Sequence, residues 1–313
     1  MSENALPRTV EIIEVGPRDG LQREDVLLPA AEKAALVRDL VATGLRRIQV
    51  TSFVHPRYVP QMADAEEVCQ ALAQLPQVEG VRYSGLALNL KGVERAQDAG
   101  LTAVDISVSA SDAHSRRNAN RSLQEALQGF DEMYRQARAY GMRVRGGIQC
   151  AFGYQSPRDV APQQVLELAE HFLELGVDEL ALADSAGLAN PRQMMALLRQ
   201  TLALSGDVPL ILHLHDTRGM GLANVLAALE CGVRHFDTAV GGLGGCPFIA
   251  GATGNIATED TVHMLQEMGI ETGVDLPRLA QVARRLEERL QKERLPGKLY
   301  RLLPAAEQES RTR

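Results

Sequence analysis

The sequence predicts a (β/α)8 barrel, and three observations carry that expectation. Short apolar runs alternate strictly with amphipathic helical stretches through eight strand–helix units. No break in composition along the chain marks a linker. Polar residues gather at the carboxyl ends of the apolar runs, where barrel enzymes place their chemistry. Strict alternation implies a parallel sheet, and eight units imply closure; an open, doubly wound sheet is the alternative. The 313 residues suit one barrel domain with extra C-terminal helices, a loose N-terminus over 1–7 and a disordered tail over about 304–313.

The first strand is expected over Thr9–Val15, ending at Gly16-Pro17-Arg18-Asp19-Gly20, with a helix over Ala30–Thr43 closed by Gly44. Strand two covers Arg46–Ser52, and a proline-punctuated loop leads to a helix through Asp64–Leu75. Strand three lies near Val81–Leu88, before a helix over Gly92–Ala99 stopped by Gly100. Strand four, Ala103–Ser109, runs into a polar loop through Asn120, whose Arg116 and Arg117 read as a solvated face, and then the helix Leu123–Tyr140. Strand five is Arg143–Cys150, followed by the helix Pro162–Leu175 and its stop, Gly176. Strand six is Glu179–Ala183, with a helix from Pro191. Strand seven is Leu210–Asp216, its helix Leu222–Glu230 stopped by Gly232, and strand eight is His235–Val240. Helices rich in Arg, Glu and Leu complete the chain.

Composition narrows the function. Net charge is −7 and the basic residues are scattered, which argues against nucleic acid as a partner. No apolar run is long enough to span a bilayer and no signal-like N-terminus is present, so a cytoplasmic protein is expected. The four cysteines are far apart and form no CxxC pair, which argues against a disulfide framework; Cys69, Cys150 and Cys231 read as core residues, whereas Cys246 does not. No GxGxxG after a first strand and no GxxxxGK[ST] supports a nucleotide-binding fold.

The chemistry converges on strand seven. In Leu210-Ile-Leu-His-Leu-His-Asp216 the alternation of a strand puts His213 and His215 on one face, half of a metal site. Barrel closure brings strand one close to strand seven, so Asp19 can join the two histidines around one divalent cation. Mixed nitrogen and oxygen ligands without a thiolate suit Mn²⁺ or Mg²⁺. Arg18 is placed to meet a developing enolate oxygen, while Asp184 and Asp216 read equally well as exposed carboxylates or as partners behind the site. Six glycines fall within residues 241–254, which implies unusual backbone dihedrals or close approach to a ligand. Cys246 inside that run is a candidate acid or base carried by a closing loop.

These residues carry a resemblance. Val15-Gly-Pro-Arg-Asp-Gly-Leu-Gln22, Thr51-Ser-Phe-Val54 with Val59-Pro-Gln-Met62, His213-Leu-His-Asp-Thr217 and Gly242-Leu-Gly-Gly-Cys-Pro247 with Gly254-Asn255 resemble 3-hydroxy-3-methylglutaryl-CoA lyases, over residues 9 to about 275. The resemblance implies that Asp19, His213, His215 and Asn255 hold the metal. It implies that Arg18 stabilises the enolate of acetyl-CoA, and that Cys246 and His213, supported by Asp184, handle protons. Gln22, Gln49, Thr51 and Gly147 would belong to the substrate pocket. The reaction implied is a reverse Claisen cleavage of an acyl-CoA to acetyl-CoA and a 3-oxo acid. Expected partners are the acyl-CoA and a second copy of the chain as a homodimer. The chain departs from the family at two inward positions: Gln49 stands where the lyases usually carry Glu, and Gly147 where they usually carry Tyr. Both departures point to a shifted acyl preference. A condensing enzyme of the isopropylmalate synthase type and a non-catalytic acyl-CoA-binding barrel are the competing readings.

Overall fold

Strand parity organises the molecule. On β2 (Arg47–Ser52), Ile48 and Val50 join the apolar layer under the helices, while Gln49 between them turns to the barrel axis. On β5 (Arg143–Gln149), Val144 and Ile148 pack outward, and a methyl at Gly146 would meet Phe172, Val177 and Phe130. Arg145, Gly147 and Gln149 point the other way and line a central cavity. The computed structural model describes residues 6–245 and 254–303. Its eight parallel strands close into one barrel in chain order, β1 (Glu11–Glu14) pairing with both β2 and β8 (His235–Thr238). The remaining strands are β3 (Arg82–Ala87), β4 (Ala103–Ser109), β6 (Glu179–Asp184) and β7 (Leu210–Leu214).

The helices form the outer ring: α1 (Ala30–Ala42), α2 (Ala65–Ala73), α3 (Leu90–Asp98), α4 (Asp112–Ala119), α5 (Leu123–Ala139), α6 (Pro162–Leu175), α7 (Pro191–Ser205) and α8 (Gly221–Glu230). Two more, α9 (Thr258–Glu267) and α10 (Leu276–Arg289), follow the last strand. Local chemistry sets their ends. Ser122 and Asn190 each begin a helix with a reciprocal capping box, to Glu125 and Gln193. Gly176 ends α6 in the left-handed region at φ 87°, where a side chain would be strained. The ring buries Val37, Leu40, Val93, Phe130, Phe172, Leu198 and Val225 against the sheet. Each such side chain contributes about 1.5–3 kcal/mol on leaving water. Inside the barrel a small apolar plug of Ile13, Val15, Ala181, Ile211 and Ala239 separates the mouth from the opposite end.

Three expectations change. The loop expected before α5 contains α4, which has no apolar period for a sequence pattern to reveal. It is held instead by the Ser111 hydroxyl accepting from the His114 N–H and by the Arg116–Asp112 ion pair at 2.7 Å. The first strand ends earlier than expected because Gly16–Gly20 winds into one wide turn, with the Val15 carbonyl accepting from the Arg18, Asp19 and Gly20 amides. The N-terminal stretch 1–7 was expected to be loose, yet Pro7 is buried and Leu6 packs on the core; residues 1–5 and the tail 304–313 lie outside the described residues.

Candidate active site

The turn after β1 carries Arg18 and Asp19 to the mouth, and β7 brings His213 and His215 to the same rim, as the sequence leads one to expect. His213 Nε2 and His215 Nε2 stand 3.1 Å apart. Asp19 Oδ2 lies 3.8 Å from the first and 3.9 Å from the second. All three residues are buried. Burial alone would raise the Asp19 pKa, but Arg18, both histidines and the Asn255 amide outweigh it and hold the carboxyl down at about 2. Asp19 is therefore an anion at neutral pH. Asn255 bridges to His215 at the end of the glycine-rich run and donates from Nδ2 to Asp19 Oδ2 (2.7 Å) and to the Leu243 carbonyl (3.0 Å). Its Oδ1 is buried and has no hydrogen-bond partner among the described residues.

The glycines permit this approach. Gly244, at φ 115°, lies so close that a methyl there would sit 2.5 Å from Asn255 Nδ2, and one at Gly254 would strike the Gly242 carbonyl. Beneath the loop, Glu14 accepts from the Gly16 amide (2.7 Å), the Val240 amide (2.9 Å) and the Thr258 hydroxyl (2.7 Å), joining the Arg18–Asp19 turn to the loop's first residues. Glu259 accepts from the Gly241 amide at 2.9 Å. Burial pushes Glu14 up to about 7 and Glu259 up to about 8.

The residue behind His213 was not legible in the sequence. Its Nδ1 lies 3.0 Å from Asp237 Oδ2 on β8, and Asp237 in turn forms a two-point ion pair with Arg145 across the barrel. Burial opposes ionisation of Asp237, but Arg145 and His213 overcome it and hold the carboxyl well below the usual range. An ionised carboxylate only accepts, so His213 Nδ1 carries a proton, and the tautomer this selects in a neutral ring has its lone pair on Nε2. Two imidazole nitrogens and a carboxylate oxygen facing one point fit a shared cation. The orphaned Asn255 Oδ1 is an oxygen donor of the type such a cation accepts.

The other expected site residues divide. Gln22 lines the cavity and donates to Asp19 Oδ1 at 2.8 Å. Gln49 lines it too, accepting from Arg18 Nε and donating to Asp105 Oδ2. Gly147 lies in the wall beside Ser107, where an added methyl would approach the Ser107 Cβ to 3.1 Å. Thr51 is buried with its hydroxyl toward Met62 Sδ at 3.8 Å, because the pairing of β2 with β3 slips between Gln49 and Thr51. Asp184 accepts from the Leu188 and Ala189 amides and shapes the turn after β6, while the partner of His213 is Asp237; burial lifts Asp184 to about 6. Asp216, left open in the sequence, accepts from the Gly221 amide at 2.7 Å and starts α8. Cys69 and Cys150 are buried as expected, Cys231 only half so, and Cys246 lies outside the described residues. The cavity measures about 340 Å³ and also exposes Asp105, Ser107, His114, Asn118 and Ser185, none of which the sequence singled out. Among the described residues no helix is long and apolar enough to cross a membrane.

Comparison with known proteins agrees with this geometry. The HMGL-like family model matches residues 9–286. The hydroxymethylglutaryl-CoA lyase of Pseudomonas mevalonii is 44% identical over 283 residues, covering 90% of this chain and 93% of its own length. A crystal structure of the Bacillus subtilis HMG-CoA lyase superposes with a TM-score of 0.90 at 39% identity, covering 95% of this chain and 98% of that one. An HMG-CoA lyase from Acinetobacter baumannii, solved in complex with coenzyme A and 3-methylmalate, gives 0.90 at 38% identity over 98% of this chain and 99% of the other. With a matching model over most of its length and a closed barrel carrying Asp19, His213 and His215 at one rim, the chain belongs to the HMGL-like family.

Proposed function

We propose that this protein is a metal-dependent carbon–carbon lyase that cleaves a 3-hydroxy-3-methylglutaryl-CoA-like thioester to acetyl-CoA and a 3-oxo acid, acetoacetate for the methyl substrate. The observation that carries the proposal is the buried Asp19–His213–His215 cluster beside Arg18 at the carboxyl end of a closed barrel. Asp19, His213, His215 and Asn255 would hold Mg²⁺ or Mn²⁺, which when bound supplies a Lewis acid for the substrate's tertiary hydroxyl. Asp237 keeps the His213 Nε2 lone pair aimed at that point, which supports a ligand role over a proton-carrying one. The hydroxyl gives its proton to the Cys246 thiolate, the bond between the carbinol carbon and the thioester α-carbon breaks, and its electron pair passes into the thioester enolate. Arg18, fixed by Gln49 and Asp19, presents its guanidinium to that enolate oxygen. Cys246 on the glycine-rich loop delivers a proton to the enolate carbon, which completes acetyl-CoA. A homodimer in the cytoplasm is part of the proposal.

The test is acetyl-CoA release from 3-hydroxy-3-methylglutaryl-CoA by protein stripped with chelator and then titrated with Mn²⁺ or Mg²⁺. Turnover that appears with about one cation per chain, and is abolished together with cation binding in His215→Ala, is the expected result. Full activity without metal refutes the proposal.

A further inference from the structure

The cavity wall formed by β4, β5 and α4 contains a group that the cleavage chemistry leaves unused. His114, on the first turn of α4, is 2% exposed and lines the cavity. Among the described residues neither of its ring nitrogens has a hydrogen-bond partner. Its ring is fixed edge-on against Tyr154, with centroids 5.0 Å apart, so it is placed and not idle. Burial, with Arg117 nearby, pushes its pKa down to about 4. The imidazole is neutral around pH 7, with one N–H to give and one lone pair to receive a hydrogen bond. Polar side chains line the same cavity: Asn118 one turn further along α4, and Ser107, joined at 2.9 Å to Gln149. Gly147 pairs with Ser107 and adds no side chain to this part of the wall.

A buried donor and acceptor left unmatched is unfavourable for the folded protein and becomes favourable when a bound molecule matches it. A side chain this buried, on the wall of the cavity that also holds Asp19 and the two histidines, faces whatever fills that cavity. Strands β4 and β5 lie across the barrel from β8 and β1, opposite the rim that holds Asp19. An acyl group held at that rim through its hydroxyl leaves the cavity between the rim and His114 to the other groups on its carbinol carbon.

We infer that His114, with Asn118 and Ser107, is a specificity-determining subsite for a 3-hydroxyacyl-CoA whose branch at the carbinol carbon carries a hydroxyl oxygen in place of a plain methyl. This rests on the lyase reading above; the bond broken and the acetyl-CoA formed are the same. Two substrates test it: 3-hydroxy-3-methylglutaryl-CoA and its 3-hydroxymethyl counterpart, each with Mn²⁺-loaded wild type, His114→Phe and His114→Gln. Phe keeps the ring against Tyr154 and removes both hydrogen-bonding nitrogens, whereas Gln keeps a donor and an acceptor.

The expected result is a wild-type kcat/KM about 10-fold or more higher for the hydroxymethyl substrate, on the scale of a site built to pair a substrate hydroxyl. His114→Phe lowers that value about 10- to 100-fold and leaves or raises the value for the methyl substrate. His114→Gln retains part of the preference, and Mn²⁺ affinity and melting temperature stay at wild-type values in both variants. A wild type that favours the methyl substrate, or a substrate ratio unmoved by Phe, overturns the inference while leaving the lyase reading in place. If wild type cleaves neither thioester, the lyase reading fails and the inference fails with it.

Discussion

Replacing Asp237 by Asn separates the two tasks that the barrel interior has given this carboxylate. It accepts the His213 Nδ1–H at 3.0 Å and balances Arg145, and it is fully buried. Asparagine keeps the shape and one acceptor but loses the charge, leaving the Arg145 guanidinium without its two-point ion-pair partner. Breaking a buried ion pair by removing one partner is unfavourable by about 3–5 kcal/mol. At about 2–4 °C per kcal/mol for a domain of this class, the melting temperature should drop by roughly 6–20 °C. The second effect is on the metal. Without an anionic acceptor the proton on Nδ1 is no longer enforced, and a tautomer with the proton on Nε2 cannot bind a cation. Losing such a partner behind a histidine ligand weakens metal binding by about 10- to 100-fold. Calorimetric titration of chelator-stripped protein with Mn²⁺ reads this directly, with thermal unfolding of the same samples beside it. Arg145→Gln on top of Asp237→Asn removes the stranded charge, so the double variant should recover stability but not Mn²⁺ affinity. A folded single or double variant that binds Mn²⁺ within about twofold of wild type, well short of the loss expected for such a partner, would refute the reasoning.

Other outcomes follow from the proposed chemistry and from the described site. Cys246→Ser should lower turnover by about 100-fold or more with little change in KM, and alkylation should inactivate the enzyme unless substrate protects it. Glu14 and Glu259 have folded pKa values, about 7 and about 8, above the ordinary 4.5. Their stabilisation is therefore complete below pH 4.5 and is lost as pH rises through those values. The melting temperature should fall between pH 5 and pH 9, and fall less steeply in Glu259→Gln. Gln49→Glu restores the family's usual residue but sets a second carboxylate against Asp105, so it should lower both stability and kcat/KM, and Asp105→Asn should restore much of each. Combining Gln49→Glu with Gly147→Tyr should move preference toward the methyl substrate, measured as the ratio of kcat/KM values.

What was legible in the sequence, and what was not, follows from how far apart in the chain the cooperating residues lie. His213 and His215 share a face by strand parity, and Arg18–Asp19 sits at a strand end, so local pattern plus barrel closure placed them together before any coordinates. Arg145 and Asp237 are separated by 92 residues and meet only because β5 and β8 face one another across a closed sheet. Each alone reads as an unremarkable charge on a strand. α4 escaped because periodicity detects helices through the apolar stripe they bury, and Asp112–Ala119 has none; capping and an ion pair hold it. That hidden helix carries His114. Gln49 shows the complementary case, since parity gave its direction but not its partners. Its amide bridges Arg18 and Asp105, a role that a carboxylate could not fill, because it has no proton to donate to Asp105. Gln49 is therefore matched to Asp105 within the pocket. A substrate preference read from position 49 alone would assign to the ligand a change that the neighbouring strands already absorb.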